Sequence, residues 1–575
     1  MPVYDFDVVV VGAGIAGALM AYRLADAKLR VLIIEAGDPL PRLQDWIDQY
    51  YSGAWPFKPN IAAPQPDDPP TTWRDPSKNY FEQAGPLPFG STYEIRAGGT
   101  TLHWVGTAMR FLPNDFKMKS LYEIPGSRDW PISYEELEPW YTAAEYEIGV
   151  AGDDTSVASN EGRRSRPFPM PAVPQSYLDL QVASALNGRL VNGVVVSVSP
   201  TPQARNTVGF DKRPPCMGNT SCFPICPIRA KYDASTTLVK ATDAGATLWT
   251  NCVVRSVSID AATRLVTAVN YVRVAEDSTP VMKGTVTARA FVLASNAIET
   301  PKILLMSPWR VKPDGSVLTA ANSSDQVGRN LMDHVCQVSF GTTQDPVFPY
   351  RGPISTSGIE SFRDDPKRKV RAAYRVEIGN EGWSWPLNAP ISTAEDLVKW
   401  NLFGSRLRNA VREACTRHIR FAFEPESLPL GDSRVQLSDY TNPVTGIPRP
   451  KISYRLSDYT LEGYADSVKT AKEMFRIMNV RDETEKGVSK EQPGYFEYKG
   501  TGYQYRGAGH AIGTYRMGDH RDSSVVDKDQ RSWDHPNMYL IGSGVFPTTG
   551  TANPTLTLAA LTLRTADIMR RELRA

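Results

Sequence analysis

The chain opens on an apolar run, DVVVVGAGIAGALMAYRLADA, whose character changes partway along. DVVVV is continuously apolar, as expected of a strand buried on both faces. A helical stretch follows the glycines, and RVLIIEAG is a second buried-strand run ending in Glu35. Together these predict a βαβ unit. At the far end MYLIG predicts another strand, which leads through a glycine and threonine loop to a helix. That helix has Asn553 at the N-cap position, Pro554 at its first position, and Leu556, Ala559, Ala560, Leu563 and Ala566 on or near one face. YFEY and RPKISYRLS are further candidate strands. Residues 51 to 88, rich in proline and aromatics, predict an irregular surface excursion.

The first βαβ unit carries chemistry. Gly12, Gly14 and Gly17 stand in G-x-G-x-x-G spacing between strand and helix, and Glu35 closes the second strand. Such a turn lets a pyrophosphate approach a helix N-terminus, and the acid suits ribose hydroxyls. The pattern predicts a dinucleotide site without separating FAD from NAD. RAGGTTLHWVGTAMRF places Gly98, Gly99, Thr100, His103 and Trp104 in one segment. Alone, it reads as a glycine turn before a strand, with His103 in the core. The N-terminus of the last helix offers a positive dipole and free N–H groups to an anion.

These motifs, with NCVVRSV, FVLASNAIETPKILLMS, VGRNLMDH and GTANPTLT in order along nearly the whole chain, resemble the glucose-methanol-choline family of flavin oxidoreductases. The resemblance implies an α/β fold, α+β overall, with a Rossmann-like FAD-binding domain and a sheet-plus-helix substrate-binding domain. It implies FAD as cofactor and oxidation of an alcohol with hydride passing to the flavin. On the family pattern the active-site histidine falls on His510 of GAGHAIG and its hydrogen-bonding partner on Asn553. Asn553 also reads as a simple helix cap. Val254 of NCVVRSV, Gly544 and Thr555 join the cofactor-binding set. Some family members attach FAD covalently through a histidine at the place of His103, so a histidyl link or a non-covalent contact is implied there. His334 in NLMDH reads as architectural. His418, His520 and His535 lack metal-ligand spacing.

The resemblance divides the chain into a discontinuous FAD-binding domain, residues 1–50, 85–125, 225–335 and 500–575 together with the loop near 214–228, and a substrate-binding part with excursions, 126–213 and 340–499. Boundaries of this kind carry several residues of latitude.

Three of only six cysteines, Cys216, Cys222 and Cys226, fall in PPCMGNTSCFPICPI, residues 214–228. Within the family this C-x5-C-x3-C spacing, with FLPNDFKMKS and RDWPI, is similar to the catalytic subunits of bacterial FAD dehydrogenases for glucose, fructose, sorbitol and gluconate. In that branch the three cysteines hold a 3Fe-4S cluster that passes electrons to a cytochrome c subunit. Thiolates are soft ligands suited to iron-sulfur chemistry, and three favour a three-iron cluster. Met217 stands where branch members often have a second cysteine, and the asparagine-rich stretch between the first ligands is reduced to GNTS. Three structural thiols, or a disulfide and a spare, is the competing reading. Cys252, Cys336 and Cys415 read as core residues.

Composition narrows the partners. A formal charge of +1 with mixed signs disfavours nucleic acid. The apolar opening has no basic segment before it and is interrupted by Arg23 and Asp26, so neither a signal peptide nor a membrane span is expected. The absence of C-x-x-C-H argues against haem attached to this chain. The resemblance implies a cytochrome c subunit, a small partner whose export signal carries the folded chain to the periplasm, and membrane contact only through partners; without a partner the chain would be cytoplasmic. A sugar, polyol or sugar acid is the implied substrate. An oxygen-using oxidase and a non-catalytic electron-transfer subunit are the alternatives.

Overall fold

The strand Phe6–Val11 sits at the centre of a parallel sheet, between Val31–Ile34 on one side and the last part of the long strand Pro280–Leu293 on the other. Thr247–Trp249 extends the sheet beyond Val31–Ile34, and Met538–Leu540 pairs parallel along the other edge of Phe291–Leu293. The first part of the Pro280–Leu293 strand leaves this sheet to pair antiparallel with Val266–Val274, which pairs in turn with Cys252–Ile259. The structure, a computed structural model, describes residues 4–40, 80–156, 162–218, 222, 226–275, 280–380, 391–491 and 493–574. Most of the expected excursion at 51–88, and residues 41–50, lie outside the described residues.

The central strand is apolar without alternation because both faces are covered: Val8, Val9 and Val10 are fully buried. The helices Ile15–Asp26, Tyr134–Ile148 and Thr555–Arg574 contribute Leu19, Tyr141 and Leu556 to the same core. Tyr134–Ile148 starts at a capping box, in which the Ser133 hydroxyl accepts from the Glu136 N–H and the Glu136 carboxylate accepts from the Ser133 N–H.

A second, mainly antiparallel sheet has Val335–Thr342, His418–Pro425, Tyr374–Gly379, Ser357–Ile359 and Val198–Pro200 in adjacent order. Its strands alternate. Val376, Ile378, Ile419, Phe421 and Phe423 are buried in a core capped by the helix Asp458–Ile477 through Ala471, Met474 and Phe475. The residues between them face the other way. YFEY and RPKISYRLS do form strands, Tyr495–Tyr498 and Pro448–Ser453, but these belong to separate small sheets. Among the described residues, no helix is long and apolar enough to cross a membrane.

Candidate active site

A cavity of about 840 Å³ lies against the C-terminal ends of the parallel strands and under the second sheet. Its lining includes Gly12, Gly14, Glu35, Gly99, Thr100, His103, Trp104, Val254, His510, Asn553 and Thr555. Gly12 has φ +102°, and a Cβ there would stand 2.8 Å from the Ala294 carbonyl oxygen. At Gly17 a Cβ would collide with the Gly12 carbonyl, so this glycine seats the helix on the turn and does not itself line the cavity. The Glu35 carboxylate accepts from the N–H groups of Ala13 at 2.8 Å and Gly37 at 2.9 Å, and burial pushes its pKa up. Gly98 donates its N–H to the Ala13 carbonyl at 3.0 Å, docking the GGTT segment on the glycine turn. Gly544 lies behind the wall against the Tyr515 ring; its neighbours Gly542 and Ser543 reach the cavity instead. This turn, acid and helix N-terminus form a cradle of the size and donor chemistry that FAD needs.

His103 faces the same cavity, and its Nε2 lies 2.6 Å from the Glu94 carboxylate. Trp104 donates its indole N–H to the Tyr232 carbonyl at 2.7 Å. His103 is therefore a residue of the cavity, not of the core.

His510 and Asn553 meet with Nε2 and Nδ2 3.3 Å apart. Their orientations follow from their outer partners. His334 Nε2 lies 3.0 Å from the Gly550 carbonyl, which can only accept, so His334 carries its proton on Nε2. Its Nδ1 is then an acceptor and takes the Nδ1–H of His510 at 3.1 Å. His510 is left with a lone pair on Nε2, facing the cavity. Asn553 Oδ1 accepts from Arg375 Nη1 at 3.1 Å, which turns Nδ2 toward His510. The amide thus serves the cavity, while the helix begins at Thr555. Burial, followed by the nearby His334 and Arg375, lowers the His510 pKa well below the usual histidine value. At neutral pH it is an unprotonated base.

The VGRNLMDH segment contributes more than architecture. Asp333 accepts the His510 N–H at 3.0 Å and also bonds the N–H groups of Ala508 and His334 and the Ser91 hydroxyl. Ser91 Oγ in turn accepts from Gly509 N–H at 2.7 Å. Burial pushes the Asp333 carboxyl up to about 7 against these donors.

The second sheet supplies the roof. Arg375 and Glu377 alternate along one strand, Arg420, Ala422 and Glu424 along its neighbour, and Arg375 pairs in register with Glu424. Glu377, Arg420, Ala422 and Glu424 line the cavity, as does Cys336, which corrects its reading as a core thiol. The Arg375 pKa is held up by Glu360, Glu424 and Glu377 although burial alone would lower it.

The cysteine loop lies behind the GGTT segment. Arg205 Nη1 is 2.9 Å from Cys222 Sγ and 4.0 Å from Cys216 Sγ, while Nη2 donates to the Val105 carbonyl at 2.9 Å. Lys231 donates to the carbonyls of Leu102 at 3.1 Å, Cys222 at 3.2 Å and Trp104, and burial lowers its pKa to about 8 against the pull of Cys226 and Cys222. None of the six cysteines is in a disulfide, which removes the disulfide reading of the loop in this structure. Among the described residues, no group of three or more His, Cys, Asp or Glu side chains has the arrangement of a metal site. Residues 219–221 and 223–225 of the loop lie outside the described residues.

A glycine-turn cradle beside a histidine base and an amide donor defines a flavin-dependent alcohol-oxidising class. Family profiles for GMC oxidoreductase match residues 182–336 and 429–562, and one for FAD dependent oxidoreductase matches 7–42. The chain is 34% identical to the fructose dehydrogenase large subunit of Gluconobacter japonicus, covering 99% of this chain and 98% of that one. It is 25% identical to 2-methyl-1,2-propanediol dehydrogenase of Mycolicibacterium austroafricanum, over 98% and 95% of the two chains. Pyridoxine 4-oxidase from Mesorbium loti shares the fold, with a TM-score of 0.62, 19% identity and 99% of both chains covered. The chain belongs to the GMC oxidoreductase family and is an FAD-dependent oxidoreductase of alcohol groups.

Proposed function

We propose that this protein is a dehydrogenase that oxidises a hydroxyl of a sugar, polyol or sugar acid and passes the electrons to an acceptor other than oxygen. The reading is carried by the 3.3 Å approach of His510 Nε2 and Asn553 Nδ2 on the cavity wall. A substrate hydroxyl placed between them gives its proton to the His510 lone pair and takes a hydrogen bond from the Asn553 amide. His334 holds the imidazole so that Nε2 is the atom that receives the proton, and Arg375 holds the amide. Gly12, Gly14, Glu35, Gly99 and Thr100 would hold FAD, which supplies the acceptor for the hydride that leaves the carbinol carbon. Pro554 and Thr555, at the N-terminus of the last helix, favour negative charge at this end of the cavity. The fructose dehydrogenase large subunit of Gluconobacter japonicus, covered almost end to end, supports a sugar substrate and a partner subunit.

Cys216, Cys222 and Cys226 would hold a 3Fe-4S cluster, which would supply the onward electron route to a cytochrome c subunit. Two buried cations adjoin these sulfurs, Arg205 and Lys231, and both also bond the carbonyls of the Leu102–Val105 segment beside the cavity. That environment suits three thiolates and their cluster. A small partner subunit would carry the folded chain to the periplasm, and contact with a membrane would come through partners.

The test is anaerobic. In a screen of sugars, polyols and sugar acids, at least one should bleach the flavin absorbance of the purified protein, and low-temperature EPR of the oxidised protein should show a near-isotropic signal that is lost on the same addition. Absence of iron would remove the cluster; absence of bleaching by any hydroxyl compound would remove the dehydrogenase.

A further inference from the structure

Glu424 stands next to the reacting position with an oxygen to spare. Its Oε1 accepts from Asn553 Nδ2 at 3.4 Å, the same amide nitrogen that faces His510 Nε2. Its Oε2 has no hydrogen-bond donor, although the residue is only 6% exposed and lines the cavity. The nearest cation to Oε2 is Arg375 Nη1 at 3.9 Å, a nitrogen already donating to Asn553 Oδ1. A buried carboxylate oxygen without a donor is costly, so one is expected from whatever fills the cavity.

We propose that Glu424 Oε2 accepts the hydroxyl adjacent to the one being oxidised, so that, of the substrate classes admitted above, the enzyme selects those with a neutral vicinal diol unit and excludes the sugar acids. This rests on the alcohol-oxidising reading above. The distance argument runs through one amide: Asn553 Nδ2 lies 3.3 Å from His510 Nε2 and 3.4 Å from Glu424 Oε1, the oxygen that shares its carboxyl carbon with Oε2, which is the spacing that hydroxyls on neighbouring carbons span. The charge argument is independent of it. Around Arg375 and Arg420 stand Glu360, Glu377 and Glu424, three carboxylates to two guanidiniums. Arg420 is engaged by Glu377 at 3.1 Å, and Arg375 is shared among the three acids. A substrate carboxylate at this wall would meet net negative charge in a buried setting, where repulsion is poorly screened.

The experiment uses the flavin-loaded enzyme and three compounds: the best neutral substrate of the screen, its monodeoxy analogue lacking the neighbouring hydroxyl, and the corresponding sugar acid. In the wild type the analogue should fall about tenfold or more in kcat/KM, as expected for loss of a hydrogen bond to a charged group. The acid should fall further. Glu424→Gln should lose about tenfold more on the parent than on the analogue, so that the gap between the two closes. Glu377→Gln should improve the acid without closing the gap between parent and analogue. Equal flavin absorbance per chain in both variants shows that the cradle has folded.

Parent and analogue falling together in Glu424→Gln, or a wild type that uses the acid as well as the parent, overturns the proposal. Flavin reduction without a vicinal preference overturns this inference alone. No reduction by any hydroxyl compound overturns the reading beneath it, and the inference with it.

Discussion

His334 and His510 are joined through their Nδ1 atoms at 3.1 Å, and the Gly550 carbonyl on the far side of His334 sets the direction of that bond. One backbone carbonyl therefore decides which nitrogen of the active-site histidine is basic. Replacing His334 with Ala removes the acceptor and leaves both His510 tautomers accessible. Flavin reduction should slow by about tenfold or more, short of the hundredfold to ten-thousandfold that the base itself contributes. A merely structural role would leave the pH profile in place. Loss of His334 also removes a repulsive neighbour that lowers the His510 pKa, so the acid limb of kcat/KM should move to higher pH in this variant.

In the wild type that limb should lie well below pH 6.5. His510 is kept unprotonated mainly by burial, so the base form persists as pH falls through the ordinary histidine range. A profile of kcat/KM with pH, using a substrate without titratable groups, checks this; a limb at or above pH 6.5 would be incompatible with the buried, His334-backed imidazole.

Asp333 predicts a stability trend of a different sign. Its carboxyl is raised to about 7 in the fold from an ordinary value near 4. Between those values the unfolded chain has lost the proton and the folded chain retains it, so this group's contribution falls as pH rises through the window. Wild type minus Asp333→Asn, measured by denaturant melts from pH 4 to 7, should decline with pH. A difference that rises over this range contradicts the assignment.

The PNDF segment makes a quantitative prediction. Asp115 receives Arg368 Nη2 at 2.5 Å and the Thr551 hydroxyl at 3.0 Å, while Glu426 takes Arg368 Nε at 3.0 Å. Asp115 and Arg368 are fully buried. Arg368→Met removes the cation shared by two buried acids, leaving Glu426 with no cation among the described residues and Asp115 with only Arg363 at 3.9 Å, and should cost about 3–5 kcal/mol. Chemical denaturation measures it, and a change below about 1 kcal/mol would mean the cluster is not charged as described.

His103 faces the cavity with Nε2 2.6 Å from the Glu94 carboxylate, and a histidyl link to the flavin at this place is a proposal that denaturation tests. Acid precipitation of the wild type should carry the flavin down with the protein, and His103→Ala should release it into the supernatant. Full release from the wild type removes the covalent link.

The parts of this account legible in the sequence are those where one short segment holds the whole signal. GAGIAG with Glu35 announces its cradle because turn, helix start and acid are neighbours in the chain. GAGH and TANP announce themselves through glycine, proline and a polar residue in fixed order. The roof was not legible, because RVEIG and IRFAFEP show charged residues alternating with apolar ones, a pattern equally expected of a solvent-facing strand. Only the pairing of Arg375 with Glu424 across two strands turns that face toward the cavity. His334 and Asp333 were hidden for a similar reason: their partners, His510, Ser91 and Gly550, lie far away in the chain. Gly17 and Gly544 carried the right signal for the wrong duty, packing behind the cavity wall instead of lining it.

The central claim is that His510 is the base that takes the hydroxyl proton as the flavin is reduced. Anaerobic stopped-flow measurement of flavin bleaching, wild type against His510→Ala at saturating substrate, tests it most directly. The account predicts a fall in the limiting rate of about a hundredfold to ten-thousandfold with flavin content unchanged. Equal limiting rates in the two proteins would contradict it.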